Sequence, residues 1–288
     1  MGEEKSPAVP FMGQQQRVLH NTRIKRYPDG SAEIIVGSRP FGGGEVAVQP
    51  QRYDEEARPS PLPKQSAEEA YAELERDAIQ DDGIDREAQI RAAAANRARA
   101  QRRARVAVRD LGLCNDWSYF VTLTLDRRKV NRYDAAEVVH KMKSWLDNRV
   151  RRDGLRYVLV PEHHKDGAIH FHGFFNDALP VTDSGHRDSG GHQVFNLPDW
   201  TLGFSTAIGL YGEKAAAVGY CCKYVAKQQE KIGGRWYYSG GKLNRPEVEW
   251  TDTDWEDAAQ SGEPFQVDGL PWTRFVRIRA DGCNIVAK

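Results

Sequence analysis

The sequence lacks the features of several large classes of protein. It has no run of about 18 consecutive apolar residues, which excludes a membrane-spanning helix. Its opening stretch, MGEEKSPAVPFMGQQQ, has no basic segment followed by an apolar one, so we expect no secretory signal. Its four cysteines are too few and too scattered for a disulfide framework, which favours a reducing compartment such as the cytoplasm. The remaining class is a globular chain of 288 residues, long enough for one or two domains.

The formal net charge is zero, yet the charges of each sign are segregated along the chain. Residues 54–87 carry a net charge of −8, whereas residues 91–109 hold seven arginines and no acidic residue. The stretch 84–110 is rich in alanine and arginine and has neither glycine nor proline, which predicts a helix. Such a helix is typical of a surface that contacts a polyanion, although a solvated helix beside an acidic linker would have the same composition.

Local signals divide the chain into four parts. Pro28-Asp29-Gly30 predicts the turn of a hairpin over residues 22–36, and Ser66 with Glu69 predicts a capped helix over residues 66–80. The expected parts are a largely disordered tail with this hairpin and an acidic linker (1–80), a basic helix (81–112), a core domain (113–245) and a C-terminal extension (246–288).

The core domain alternates strand and helix signals. β-Branched and aromatic residues predict strands, while Asp134 three residues before Glu137 begins a helix that Gly154 ends. The expected strands are 119–125, 156–160, 168–175 and, more weakly, 203–208, and a second helix is expected over 213–231. This order predicts an α+β fold of the ferredoxin or RNA-recognition type, with helices on one face of a central antiparallel sheet.

His170-Phe171-His172 lies within the third of these strands. Because side chains alternate along a strand, both imidazoles point to the same face, about 6.5–7 Å apart, and Phe171 points to the other. Two histidines at this spacing suit a shared metal ion. The alternative is a pair of surface histidines on a half-buried strand.

Glu162 ends the neighbouring strand. If the hairpin has a three-residue loop, Lys165 to Gly167, then Glu162 faces His170 on the histidine side. A carboxylate with two imidazoles suits Mg²⁺ or Mn²⁺, and Zn²⁺ is an alternative. A two-residue loop would instead turn His163 to that face.

The last predicted helix carries tyrosines and lysines at helical spacing. Tyr220, Lys223, Tyr224 and Lys227 fall on one face. A phenol next to cationic lysines and a metal-polarised electrophile can act as a nucleophile in phosphoryl transfer. The alternative is an ordinary amphipathic helix with snorkelling lysines.

Three stretches occur in an order that resembles the HUH (His–hydrophobic–His) endonucleases: YFVTLTLD at 119–126, VPEHHKDGAIHFHGFF at 160–175 and GYCCKYVAK at 219–227. More narrowly, the chain resembles rolling-circle replication initiators of phages and plasmids, and the two tyrosines resemble their two-tyrosine branch. The resemblance covers about residues 105–245.

The resemblance implies a reaction and a role for each site residue. Glu162, His170 and His172 would bind the divalent metal, and Tyr220 and Tyr224 would be the nucleophiles that nick single-stranded origin DNA. The cut would leave a free 3′-hydroxyl and a 5′-phosphotyrosine, with Lys223 and Lys227 steadying the phosphate charge. Thr122 and Thr124 are weaker candidates for the floor of the site.

The resemblance also implies partners in the cytoplasm of a bacterial host. The sequence has no G-x₄-G-K-[ST] loop, so we expect a host or phage helicase, and a polymerase, to act in trans. No membrane is expected as a partner. The basic helix would add sequence-independent affinity for DNA phosphates through its arginines, namely Arg97, Arg99, Arg102, Arg103 and Arg105.

Three alternatives are left open. A transposase or a relaxase would share the chemistry but act on other DNA ends. A zinc hydrolase would use water, which makes the tyrosines dispensable. A binding module without chemistry would stack bases on Phe171 or Tyr119.

Overall fold

The structure is a computed structural model that describes residues 16–43, 45–46, 86–210, 214–267 and 270–280. The helix predicted over 66–80 and most of the tail predicted over 1–80 lie outside these residues. The chain divides into two compact units, one formed by described residues within 1–25, 33–93 and 248–280, the other by those within 26–32 and 94–247.

The elements confirm most of the predicted strands and helices. The described helices are α1 (Arg86–Cys114), α2 (Ala135–Asp153), α3 (Lys214–Lys227) and α4 (Trp255–Ser261). The described strands are β1 (Gln16–Arg17), β2 (Thr22–Arg26), β3 (Ala32–Gly37), β4 (Glu45–Val46), β5 (Tyr119–Leu125), β6 (Tyr157–His163), β7 (Ile169–Phe175), β8 (Thr182–Arg187), β9 (Gln193–Asn196), β10 (Gly203–Gly209), β11 (Tyr238–Gly240), β12 (Glu247–Thr251), β13 (Glu263–Phe265) and β14 (Phe275–Ala280).

The larger unit is built on a seven-stranded antiparallel sheet in the order β11-β6-β7-β5-β10-β9-β8. The predicted α+β class is therefore confirmed. α2 begins as predicted, because the Asp134 carboxylate accepts hydrogen bonds from the amides of Ala136 and Glu137. It ends at Gly154, whose φ of 73° gives the left-handed cap that glycine favours.

The helices of this unit pack on both faces of the sheet rather than on one. The reason lies in β6, where successive apolar side chains are buried on opposite sides: Leu159 joins the core under α2, while Val158 joins the core under α1 and α3. A strand buried on both faces needs a layer of helix on each. Met142 and Leu146 of α2 fill the first of these cores.

α3 is held between the sheet and α1. Val218 packs so closely on Gly112 of α1 that a Cβ there would lie 2.5 Å from its methyl group. The side-chain amide of Gln101 donates hydrogen bonds to carbonyls at the C-terminal end of α3, including that of Val225 at 2.8 Å. These contacts fix the helix that carries the two tyrosines.

The smaller unit joins segments that the sequence separates. Its five-stranded sheet has the order β12-β2-β3-β14-β13, so the N-terminal hairpin and the C-terminal strands share one sheet. Val36, Ala258 and Val276 form its small core. Among the described helices, none is long and apolar enough to cross a membrane.

Candidate active site

The β6–β7 hairpin has the three-residue loop that places Glu162 opposite His170. The amide of His164 donates to the carbonyl of Ala168 at 2.8 Å, and Glu162 pairs with His170 in the antiparallel register. Gly167 closes the loop with a φ of 85°, which side chains other than glycine rarely adopt. The two-residue alternative, which would have turned His163 to this face, is wrong.

The sheet brings the predicted metal ligands to one face. The carboxylate of Glu162 lies 3.1 Å from Nε2 of His172, and the ring of His170 stands on the same side of β7. β5 lies on the other flank of β7, where Nδ1 of His172 is 3.1 Å from the hydroxyl of Thr122 and Nδ1 of His170 is 3.4 Å from that of Thr124. The threonines thus orient both imidazoles through the ring nitrogen nearer the backbone.

Burial keeps the two imidazoles neutral. It lowers the pKa of His172 to about 4, with a further contribution from His170. Burial is also the main reason for the lowered pKa of His170, followed by the nearby His164, whose ring stacks on it at a centroid distance of 5.0 Å. Neutral imidazoles keep a lone pair free, which is the form that binds metals.

Burial acts on Glu162 in the opposite sense. It raises the pKa of this carboxyl group, while the ammonium of Lys227 and His164 oppose the rise. A half-buried carboxylate without a strong cation partner is a group that a bound cation would stabilise.

The ligand set fits a divalent metal by its chemistry but does not enclose an ion as it stands. In the described part of the chain, no three His, Cys, Asp or Glu side chains are grouped closely enough to hold one. Glu162 and His172 are in contact, whereas His170 contacts Thr124 and His164. Carboxylate oxygen with neutral imidazole nitrogen suits Mg²⁺ or Mn²⁺, and the metal stays a prediction.

α3 places both tyrosines over this face. The ring of Tyr224 stacks on that of His172, with centroids 4.3 Å apart and planes within 3° of parallel. The Tyr224 hydroxyl donates a hydrogen bond to that of Tyr220 at 2.7 Å, and the Tyr220 ring packs on Phe120 of β5. Tyr224 is 8% exposed and Tyr220 is 48% exposed. Only Tyr220 therefore presents its phenol openly to solvent.

The two lysines predicted to lie at the site, Lys223 and Lys227, differ in their surroundings on α3. Nζ of Lys227 lies 5.8 Å from the centre of the Tyr224 ring, and Lys227 lines a cavity of about 240 Å³ with Glu162 and Tyr224. Lys223 is exposed on α3, and no contact with the histidines, Glu162 or the tyrosines is seen for it within the described residues. The structure thus brings Lys227 to the site and leaves Lys223 at the surface.

The arginines predicted to bind DNA lie on α1. Its apolar side chains Ala104, Val108 and Leu111 face the core. Arg97, Arg102, Arg103 and Arg105 are exposed, and Arg99 is half-buried beside Asn96. Their contact with DNA stays a prediction.

Of the two aromatic residues expected to stack on bases in a binding module, Phe171 is excluded by the structure. Phe171 is fully buried in the core under α2, because the alternation that turns the histidines to one face turns it to the other. Tyr119 packs against the same core, with its ring edge against Phe195. The Phe171 ring is therefore unavailable to a nucleic-acid base, whereas the Tyr119 side chain is only partly buried.

A protein-family model matches the part of the chain that contains the candidate active site. Residues 118–229 match the model of the family described as replication-associated protein ORF2/G2P. The match confirms the resemblance to replication-associated proteins, and it includes all three candidate ligands and both tyrosines. It supports a role in the initiation of rolling-circle DNA replication. Searches of curated proteins and of solved structures found no match.

Proposed function

We propose that this chain, with its match to replication-associated proteins, initiates rolling-circle replication by nicking and rejoining single-stranded DNA through a phosphotyrosine intermediate. The observation that carries the proposal is the stack of Tyr224 on His172, which sets two phenol hydroxyls over the face of the candidate metal ligands. The family match supports the replication role and carries no information on the nucleophile.

Glu162, His170 and His172 would hold the divalent ion, either Mg²⁺ or Mn²⁺. When bound, such an ion supplies Lewis-acid polarisation of a phosphodiester oxygen. The chain itself keeps the imidazoles neutral by burial and orients them through Thr122 and Thr124. Both effects prepare the ligand set before substrate arrives.

Tyr220 is the nucleophile we assign to the first cleavage. Its hydroxyl is the accessible one, and it accepts the hydrogen bond that Tyr224 donates, so negative charge on the Tyr220 oxygen is stabilised as it attacks. The new bond joins this oxygen to phosphorus, and the bond from phosphorus to the 3′-oxygen breaks. The phenol proton ends on that leaving oxygen, which becomes the 3′-hydroxyl from which a polymerase extends.

The spacing of the tyrosines suits the reverse step as well. A phosphotyrosine ester keeps the energy of the original phosphodiester, so a returning 3′-hydroxyl can displace the tyrosine without another energy source. With hydroxyls 2.7 Å apart, either tyrosine can reach the same phosphate. Lys227, beside Tyr224 and Glu162, would balance the negative charge of that phosphate. Lys223, at the helix surface, would contact the strand further out.

The partners follow from this reaction. Origin DNA is the substrate, the exposed arginines of α1 add phosphate contacts, and a helicase and a polymerase of the host or phage act in trans. A transposase or relaxase would use the same chemistry on other DNA ends, and a survey of the neighbouring genes separates these from an initiator.

A covalent-adduct assay tests the reaction. End-labelled single strands that span the origin are incubated with Mn²⁺ or with EDTA, using the wild type and the Tyr220→Phe/Tyr224→Phe double variant. We expect a Mn²⁺-dependent protein–DNA band on a denaturing gel that disappears in the double variant. Cleavage without such a band would make water the nucleophile. Binding without cleavage would reduce the chain to a binding module.

A further inference from the structure

The catalytic face of the sheet continues beyond the tyrosine helix onto β10. In the antiparallel register of β5 and β10, Phe204 pairs with Thr124, which itself pairs with His170. Directly paired residues of antiparallel strands point to the same face. Phe204 therefore stands on the histidine side of the sheet, two strand spacings or about 10 Å from His170.

Phe204 is open to solvent although β10 is an interior strand. It is 69% exposed, and none of the described residues covers its ring. The helix α3 lies over His172 and the Phe120 end of β5, whereas Phe204 stands at the opposite end of that strand. Thr206, the next residue of β10 on the same face, is exposed too. Phe204 and Thr206 thus form an exposed strip that adjoins the candidate metal ligands on the same face of the sheet.

A basic loop borders this strip. The chain leaves β5 through Asp126, whose amide donates to the carbonyl of Leu202 just before β10. Arg127 and Arg128 follow at once, and the Arg128 side chain is 80% exposed even while it contacts Asp126. The ammonium of Lys129 donates to the Thr201 carbonyl at 2.8 Å, which holds the loop beside Phe204.

The combination identifies a ligand by its chemistry. A single exposed apolar side chain is common on protein surfaces and does not by itself indicate a binding site. Here the aromatic ring is continuous with a phosphodiester-cleaving site and lies beside cations, and an aromatic platform with a cationic border is how proteins hold single-stranded nucleic acid. A surface that binds a protein would not need the neighbouring arginines, and it would not need to adjoin the candidate metal ligands.

We propose that Phe204 stacks on a base of the single strand close to the scissile phosphate, while Arg127 and Arg128 contact the adjoining phosphates. The proposal rests on the proposed function, since it names the surface that presents the strand to that site. It also replaces Phe171, the aromatic candidate that the fold buries.

Binding of a fluorescein-labelled oligothymidylate, followed by anisotropy, tests the platform. The Tyr220→Phe/Tyr224→Phe background prevents cleavage during the measurement. Loss of one stacked base corresponds to weakening of about 5- to 160-fold, so we expect this for Phe204→Ala, with Phe204→Tyr close to the parent. Trp272→Ala is the matched control, because Trp272 is an exposed aromatic of the smaller unit, 80% accessible, and its removal should leave binding unchanged. Equal binding by Phe204→Ala and the parent would overturn the proposal.

Two further measurements separate this proposal from the function on which it rests. In the parent, replacing successive bases by abasic sites should weaken binding most at one position, and in Phe204→Ala that position should lose its effect. Arg127→Gln should make the plot of the logarithm of the binding constant against the logarithm of salt concentration less steep. The slope should change by roughly 0.7, the value for one phosphate contact with a single strand. If the wild type cleaves DNA but Phe204→Ala has no effect on binding, only the stacking role of Phe204 is wrong. If the wild type neither binds nor cleaves single strands, both this role and the proposed function are wrong.

Discussion

The hydroxyl groups of Tyr220 and Tyr224 lie 2.7 Å apart, although one tyrosine is half-exposed and the other is buried against His172. This relationship is the basis of the different roles that we propose for the two tyrosines. Tyr224 is held by its stack on His172 and donates a hydrogen bond outward to Tyr220, whose oxygen is open to solvent. The consequences can be tested one residue at a time.

Conservative single variants should separate the tyrosines. Tyr220→Phe removes the exposed hydroxyl, and we expect the first cleavage to fall at least 100-fold, within the range for loss of a nucleophile. Tyr224→Phe removes only the hydrogen bond to Tyr220, so cleavage should fall by about 10-fold, as expected for one hydrogen bond to a charged oxygen. Single-turnover cleavage of a labelled strand measures both. A greater loss in Tyr224→Phe than in Tyr220→Phe would reverse the assignment.

The threonines of β5 should act through the histidines. Thr122→Val removes the hydroxyl that contacts Nδ1 of His172 while keeping the shape of the side chain. We expect apparent affinity for Mn²⁺ to fall by about 10- to 100-fold, the usual effect of losing a group that orients a ligand. Isothermal titration with MnCl₂ measures this without DNA. Thr182→Val, on the exposed edge strand β8, is the control, and an equal loss there would exclude a positioning role for Thr122.

Two glycine variants should change stability in opposite directions. Gly167→Ala forces a side chain into a φ of 85° in the β6–β7 loop, and we expect a loss of about 1–2 kcal/mol in the free energy of unfolding. Gly219→Ala lies on α3 with open space around the added methyl group, so it should gain up to about 1 kcal/mol. Urea unfolding measures both. Stabilisation by Gly167→Ala would contradict the loop conformation that sets the register of Glu162.

The buried phenol of Tyr157 should make stability depend on alkaline pH. Burial raises the pKa of Tyr157 to about 12, with Asp147 adding to the rise, whereas an unfolded tyrosine has a pKa near 10. Between these values the folded state keeps a proton that the unfolded state has lost, so the free energy of unfolding falls as the pH rises from about 10 to 12. Tyr157→Phe should show a shallower fall in urea unfolding over this range. Identical slopes for the two proteins would contradict the shift.

The parts of the site that depend on local sequence could be predicted from it. Alternation along β7 is sufficient to put His170 and His172 on one face. Gly167 favours the three-residue loop that pairs Glu162 with His170, and the structure decides between this loop and the two-residue alternative. The N-terminal cap that Asp134 forms on α2 likewise depends only on residues close to it in the sequence. Each of these inferences needs only residues within one hairpin or one helical turn.

Features that depend on distant packing could not be predicted. The apolar run of β6 is compatible with burial on one face or on both, so it did not reveal that helices cover both sides. Phe204 pairs with Thr124, which lies 80 positions earlier in the chain, and only this pairing shows which face Phe204 occupies. The shared sheet of β2, β3 and β14 likewise joins segments with no local signal for each other.

The most direct test of the central claim is to identify the amino acid that carries the DNA. The covalent adduct formed by the wild type on an origin strand with Mn²⁺ is digested with nuclease and protease, and mass spectrometry locates the residual nucleotide. The account predicts a 5′-phosphodiester on Tyr220, and on Tyr224 when Tyr220 is phenylalanine. An adduct on a residue outside α3, or cleaved strands with no adduct, would contradict it.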